Sequence, residues 1–287
     1  MKRLLLLCLL LGTPALAETI RGTVVDEGGL PLPGAIIAAG QQRTMSGPDG
    51  RFVIAVDLAE PASLQLRADG HFAAVHTFSK ADVATMEGDI GSITLVARRP
   101  ERRLLVFAGD AMLARRFFDP PAGEPALLQR DRVLEDGKRL LSAIRPYIEL
   151  ADFASVNMET QLSSAPLEDR LPKSVTFYSP REFAALLEWA GFDYVALGNN
   201  HTWDYQAEGL ESTFAALDDT TLAYSGAGFD ERAARAPFVA DIAGKPYAFL
   251  SYVGWAGTFR PHQAAEGDKG GAAPVSYTHL TLPTTPY

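Results

Sequence analysis

Cysteine is nearly absent from this 287-residue chain, and its single copy, Cys8, lies inside the apolar run from Leu4 to Leu11. A disulfide framework is therefore excluded, and downstream of that run so are thiolate catalysis and Cys-ligated zinc. Basic charge is the second shortage: 26 Lys and Arg stand against 35 Asp and Glu, a formal net charge of -9. No cluster of Lys and Arg with interleaved aromatics offsets this, so no nucleic-acid partner is expected, and an anionic substrate would call for a bound cation. Long apolar stretches are missing as well, since Leu4 to Leu11 falls far below the ~20 residues that span a bilayer. What remains is ordinary for a chain that buries a core: 47% hydrophobic residues and a mean hydropathy of +0.01, which argues against disorder.

Residues 1–17 have the layout of a secretory signal peptide. Lys2 and Arg3 precede the apolar run, and Ala15-Leu16-Ala17 supplies the small-residue cleavage pattern. Cleavage after Ala17 is expected, with export to the periplasm or cell surface. Cys8 sits within the run rather than after it, so it does not form a lipid-attachment site. The remaining length suits two folded units.

Short β-type runs fill residues 18–97: Ile20 to Val25, Ala35 to Ala39, Arg51 to Val56, Ser63 to Ala68 and Ser92 to Val96. Gly28-Gly29, Pro33-Gly34 and Asp49-Gly50 punctuate them, which predicts a small all-β sandwich. The phrases "GTVVDEGGLPLPGAIIAA" and "TMSGPDGRF" resemble carboxypeptidase-regulatory-like domains, and that resemblance implies a transthyretin-like sandwich without chemistry of its own. His71 and His76 suit surface or packing roles. A charged linker with a proline, residues 98–103, follows.

From residue 104 to 274 the pattern changes to α/β. Leu104 to Ala108 is an apolar run of the kind that forms buried parallel strands, ending at Gly109-Asp110. Apolar residues from Val133 to Ile148 recur at helical spacing, predicting one helix across Asp131 to Leu150. Phe153 to Met158, Tyr194 to Leu197 and Tyr247 to Val253 are further strands, and Glu208 to Leu217 a further helix. Ser179-Pro180-Arg181-Glu182 reads as a capping box opening a helix that Gly191 closes. Strands alternating with helices predict βαβ units, whose ligands bind beyond the carboxyl ends of the strands. Asp110, Glu159 and the loop Asn199-Asn200-His201 fall at three such ends.

Two carboxylates, an amide and an imidazole form the kind of O/N donor set that suits a divalent metal. Each has a plainer reading. Asp110 could be a turn or cap residue, Glu159 a surface carboxylate, Asn199-Asn200 turn formers, and His201 a histidine bonded in the core. Together, at successive strand ends, they favour a site.

"FAGDAMLARRF", "NMET" and "LGNNHTWDYQAEGL" resemble CapA-type capsule or poly-γ-glutamate synthesis proteins, a branch of the metallophosphatase-like superfamily. The resemblance implies a metallophosphatase-like α/β domain in which Asp110, Glu159, Asn200 and His201 bind metal (Mn, Zn or Fe). His201 would act on the reacting group, with Asp204 orienting it. It also implies a metal-dependent hydrolase cutting a phosphoester or amide. An anionic capsule polymer or phosphoester would be the substrate and an envelope export complex a possible partner. One departure stands out: metallophosphatases generally begin with Asp-x-His, and here Met112 occupies the histidine's place, which points to one metal or none.

Residues 275–287, "VSYTHLTLPTTPY", leave the family pattern and resemble translated adaptor sequence. They are excluded from the expected fold, and His279 from the ligand set. A C-terminally truncated, inactive and marginally folded fragment is the expectation. The rival function is a non-catalytic polymer-binding or export-scaffold protein, and an envelope nucleotide phosphatase is a third.

Overall fold

Strict alternation of apolar and polar side chains builds the first unit. In the strand Arg51–Val56, for example, Phe52, Ile54 and Val56 are buried while Arg51, Val53 and Ala55 face out. The protein is described by a computed structural model covering residues 18–58, 61–254 and 260–275. The expected signal peptide lies outside the described residues, as do residues 276–287 with His279. The chain divides into two compact units between Arg102 and Arg103.

The first unit contains β1 (Glu18–Asp26), β2 (Ile36–Ala39), β3 (Gln42–Met45), β4 (Arg51–Val56), β5 (Ala62–Arg67), β6 (Ala74–Phe78), α1 (Lys80–Thr85) and β7 (Asp89–Leu95). One sheet runs β4-β1-β7 and the other β3-β2-β5-β6. Ile20, Ile54 and Ile93 from the first share one buried cluster with Ile37, Leu64 and Leu66 from the second. Each such fully buried side chain contributes ~1.5–3 kcal/mol relative to exposure. The sequence runs anticipate β1, β2, β4, β5 and β7. They miss β3 and β6, which are polar enough to hide their alternation, and α1, a six-residue helix capped by Ser79 and Asp82. The charged segment after β7 is not a free linker: Arg99 and Arg102 both bind Glu27, and the Arg98 guanidinium sits 4.2 Å over the Phe72 ring.

The second unit opens with β8 (Leu105–Ala111), a turn of 3-10 helix at Arg115–Phe117, α2 (Val133–Leu141), α3 (Arg145–Ile148) and β9 (Phe153–Met158). It continues with β10 (Gln161–Ser163), β11 (Tyr178–Pro180), α4 (Glu182–Ala190), β12 (Tyr194–Ala196), α5 (Gln206–Leu217) and β13 (Ala223–Ser225). The last elements are β14 (Ala227–Gly228), α6 (Glu231–Ala234), β15 (Phe238–Asp241), β16 (Pro246–Phe249), α7 (Arg260–Gln263) and β17 (Gly271–Ala272). Four strands, β13-β12-β9-β8, form an all-parallel sheet. Its middle strands bury both faces. Ala154, Val156 and Val195 pack with α4 and α5 residues such as Leu186 and Leu210 on one side. Phe153 and Tyr194 meet Phe238 and Phe249 of the β15–β16 hairpin on the other. Among the described residues no helix is long and apolar enough to cross a membrane.

Four local expectations are corrected. β8 lies at the sheet edge with Phe107 67% exposed, so its apolar composition does not mark a buried central strand. It also runs through Asp110 instead of stopping before it. The single helix over Asp131 to Leu150 is two, α2 and α3, because Pro146 lacks the N–H that would continue the ladder and sits instead in the first turn of α3. Ser179 is not a cap: it is fully buried in β11, where its Oγ accepts the Leu113 N–H at 3.0 Å, and α4 starts from Arg181 without a side-chain cap. The strand expected over Tyr247 to Val253 ends at Phe249. Gly191, at φ 97°, closes α4 in the left-handed conformation expected of it.

Candidate functional site

Parallel pairing places the carboxyl ends of β8, β9 and β12 along one edge. A bulge in β8 between Phe107 and Asp110 shifts the register by one, so Asp110 faces Asn157 of β9. The Asn157 amide donates to Asp110 Oδ1 at 2.6 Å. Asn199 in turn donates from Nδ2 to Asn157 Oδ1 at 3.0 Å and to the Met158 carbonyl at 2.9 Å. Asn199 Oδ1 accepts the His201 N–H at 2.9 Å. Two asparagine amides thus tie the three strand ends together.

The loop after β12 is held from below by Gln161. Its amide donates to the Thr202 carbonyl at 2.8 Å and accepts the Tyr205 N–H at 2.6 Å. This clamp sits so close to α5 that a Cβ on Gly209 would lie 2.4 Å from Gln161 Oε1. A side chain at Gly209 would push the Gln161 amide away from the loop that it holds.

Asp204 has no exposed side-chain surface and organises the centre. It accepts from His201 Nδ1 at 2.7 Å and from the Phe177 N–H at 2.6 Å, and it pairs with the Lys173 ammonium. Lys173 Nζ also donates to the Asn200 carbonyl at 2.7 Å. The same Asp204 oxygen takes the Phe177 N–H and so acts as an acceptor here, which puts the proton of the His201 ring on Nδ1. His201 Nε2 then presents a lone pair, and the group it faces is Glu159, with Oε1 at 3.9 Å. Burial raises the Glu159 pKa above the ordinary carboxylate range, and the negative charge of Asp110 adds to the rise. An imidazole lone pair and a carboxylate facing each other beside a second carboxylate favour a positive species between them, either a proton or a metal cation.

The residues singled out from sequence are therefore unequal. Asp110, Glu159 and His201 share one locality, and Asp204 backs the imidazole. Asn200 offers its carbonyl inward to Lys173 and Gln263, while its amide has no hydrogen-bond partner among the described residues. The amide that builds the site is that of Asn199. Lys173, Asn157, Gln161 and Phe177 were not anticipated. Asn157 carried a faint signal, one of two polar residues, with Ser155, in the mainly apolar run Phe153 to Met158; Lys173, in "LPKSVTF", carried none. Among the described residues no three His, Cys, Asp or Glu side chains form a ready metal cage. The donor chemistry of Asp110, Glu159 and His201 Nε2 still fits a single O/N-coordinated divalent cation.

Residues 104–281 match the family described as bacterial capsule synthesis protein PGA_cap. The chain belongs to the PGA_cap family. The matched span begins where the α/β pattern begins and takes in every site residue named above. A capsule biosynthesis protein CapA from Bacillus anthracis is 31% identical to this chain over 87 residues, which are 30% of this chain and 21% of that protein. The match thus spans about a fifth of that relative's length. The family match thus takes in the mixed α/β unit, which follows a strand-rich N-terminal unit.

Proposed function

We propose that the second unit is a metal-dependent hydrolase acting on an anionic capsule polymer, or on a phosphoester formed during its synthesis, in the cell envelope. The observation that carries this is the facing of His201 Nε2 and Glu159 Oε1 at 3.9 Å, with Asp110 adding negative charge and Asp204 holding Nδ1. A metallophosphatase-like reading of the parallel sheet is supported by donors at three strand ends, and a carboxypeptidase-regulatory-like reading of the first unit by its two sheets over one core. Export after cleavage at Ala17 belongs to the same proposal.

Asp110, Glu159 and His201, with the Asn200 amide, would hold one Mn, Zn or Fe ion. The ion would supply Lewis-acid polarisation and a bound water of lowered pKa. Asp204 fixes the imidazole tautomer and leaves Nε2 with one lone pair, which serves either the ion or a proton at the substrate oxygen, not both at once. Lys173 ties Asp204 to the Asn200 carbonyl, and the Asn157–Asn199 bridge keeps the β8 carboxylate aligned with the loop.

The test is turnover of p-nitrophenyl phosphate and of polyglutamate by the full-length protein loaded with Mn²⁺ or Zn²⁺, alongside metal analysis. His201→Asn and Glu159→Gln are expected to lower kcat by about 10²–10⁴, and Glu159→Gln to lose bound metal. Full activity in both variants, or no stoichiometric metal in the wild-type chain, would refute the hydrolase and leave a polymer-binding scaffold.

A further inference from the structure

Beside the strand-end site lies a cavity of about 610 Å³ whose walls include Met112, Arg115, Arg116, Asp119, Pro121 and Phe177. Its volume falls in the range of small-ligand sites, ~300–1,000 Å³. The charges on its walls are unbalanced. Asp119 is already engaged by Arg130 at 2.7 Å. Arg115 and Arg116 have no carboxylate partner among the described residues; the guanidinium carbons lie 5.9 Å from the Phe177 and Phe117 rings respectively. Two uncommitted, exposed guanidiniums side by side are unexpected in a chain with net charge -9. Arg115 is also held at φ 50°, a left-handed conformation that costs a non-glycine residue energy and tends to persist where function requires it.

The cavity adjoins the candidate site through one ring. Phe177 forms part of its wall, and the centroid of that ring lies 4.2 Å from the centroid of the His201 imidazole. Met112 is two residues beyond Asp110. A second cavity of about 490 Å³ shares Arg115 and Asp119 with the first, so Arg115 stands at the junction of the two.

We infer that this cleft is an anion-binding subsite in which Arg115 and Arg116 grip successive carboxylates of a polymer strand and lead it past Phe177 to His201. The inference rests on the anionic-polymer reading above and adds the residues that would select such a chain. Guanidinium forks match carboxylates in a bidentate manner. The apolar walls, Met112, Pro121 and Phe177, suit the methylene segments between carboxylates, which a polyphosphate lacks.

The experiment measures binding of fluorescein-labelled polyglutamate to the full chain by anisotropy, with inorganic polyphosphate as a second probe. The variants are Arg116→Ala, which changes an exposed side chain, and Arg115→Gly/Arg116→Ala, in which glycine takes the left-handed conformation freely. The double variant is expected to bind polyglutamate at least about tenfold more weakly and the single variant to fall between, with wild-type affinity declining as salt rises. Far-ultraviolet circular dichroism and melting temperature should match wild type in both, so that weaker binding is not a loss of fold. If wild-type chain shows no turnover but arginine-dependent polymer binding, the hydrolase reading falls and the subsite stands. Equal binding by wild type and double variant, no binding by wild type, or a preference for polyphosphate would each overturn the subsite.

Discussion

At the scale of single residues, Asp204 and Lys173 decide what the loop after β12 can do. The Asp204 side chain is wholly buried and that of Lys173 is 7% exposed, so neither charge is served by bulk water. Removing one partner strands the other, which costs ~3–5 kcal/mol for a buried pair. Lys173→Met is therefore expected to destabilise the second unit by that order, and Asp204→Asn by a similar amount. Because the double variant leaves no unpaired charge, it should recover part of the loss. Urea unfolding of the four proteins, treated as a double-mutant cycle, measures this. Strict additivity would mean that the two groups are not coupled in solution. His201, Asp204, Glu159 and Asp110 could be singled out from sequence because they lie at strand ends or in a compact phrase. Lys173 could not, since it reaches Asp204 from an irregular segment with no periodicity to betray it. The same holds for Gln161, whose part in the site depends on a helix that starts at Gln206.

Elements were legible where one pattern dominated and obscure where two competed. β9 is buried on both faces and its bounds can be read to the residue, whereas β3 and β6 are largely exposed and polar enough to hide their alternation. Ser179 fits a cap motif perfectly well in sequence, but the buried Leu113 N–H needs an acceptor, and that demand outweighs a helix end that can be left to solvent. The segment after β7 shows the same competition, because its arginines look like a solvated linker until Glu27 is seen between them. Glu27 accepts from Arg102 Nη2 at 2.8 Å and from Arg99 at 3.2 Å. The bonds from Arg102 hold its carboxyl at about 2, well below its ordinary value of 4.5. A carboxyl depressed on folding stabilises the folded state above its unfolded pKa, and that contribution is lost as pH falls through the folded value. The difference in melting temperature between wild type and Glu27→Gln should therefore be full above about pH 4.5 and fade between there and about pH 2. Thermal unfolding followed by circular dichroism across this window checks the sign. A difference that grows with acidity would show that Glu27 is not clamped.

For the molecule as a whole, the change of pattern near residue 100 was the most legible feature, because strand-and-turn periodicity and βαβ periodicity cannot share one core. The structure divides between Arg102 and Arg103, and residues 98–102 pack onto the first unit. The first unit has its own cluster of fully buried side chains, including Ile20, Val24, Ile37, Leu64 and Leu66, none of which belongs to the core of the second. A chain of this size buries only ~60% of the surface that its unfolded form exposes, so an independent fold here is of modest stability but feasible. Residues 18–102 expressed alone should give a cooperative unfolding transition and a β-type far-ultraviolet spectrum. Their melting temperature should lie within a few degrees of the corresponding step in calorimetry of the full chain. Ending the piece at residue 97 removes Arg98, Arg99 and Arg102, hence the cover over Phe72 and the partners of Glu27, and should lower that temperature measurably. If the two pieces melt alike, the arginines are ornaments of the boundary; if neither folds, the first unit depends on the second for its stability.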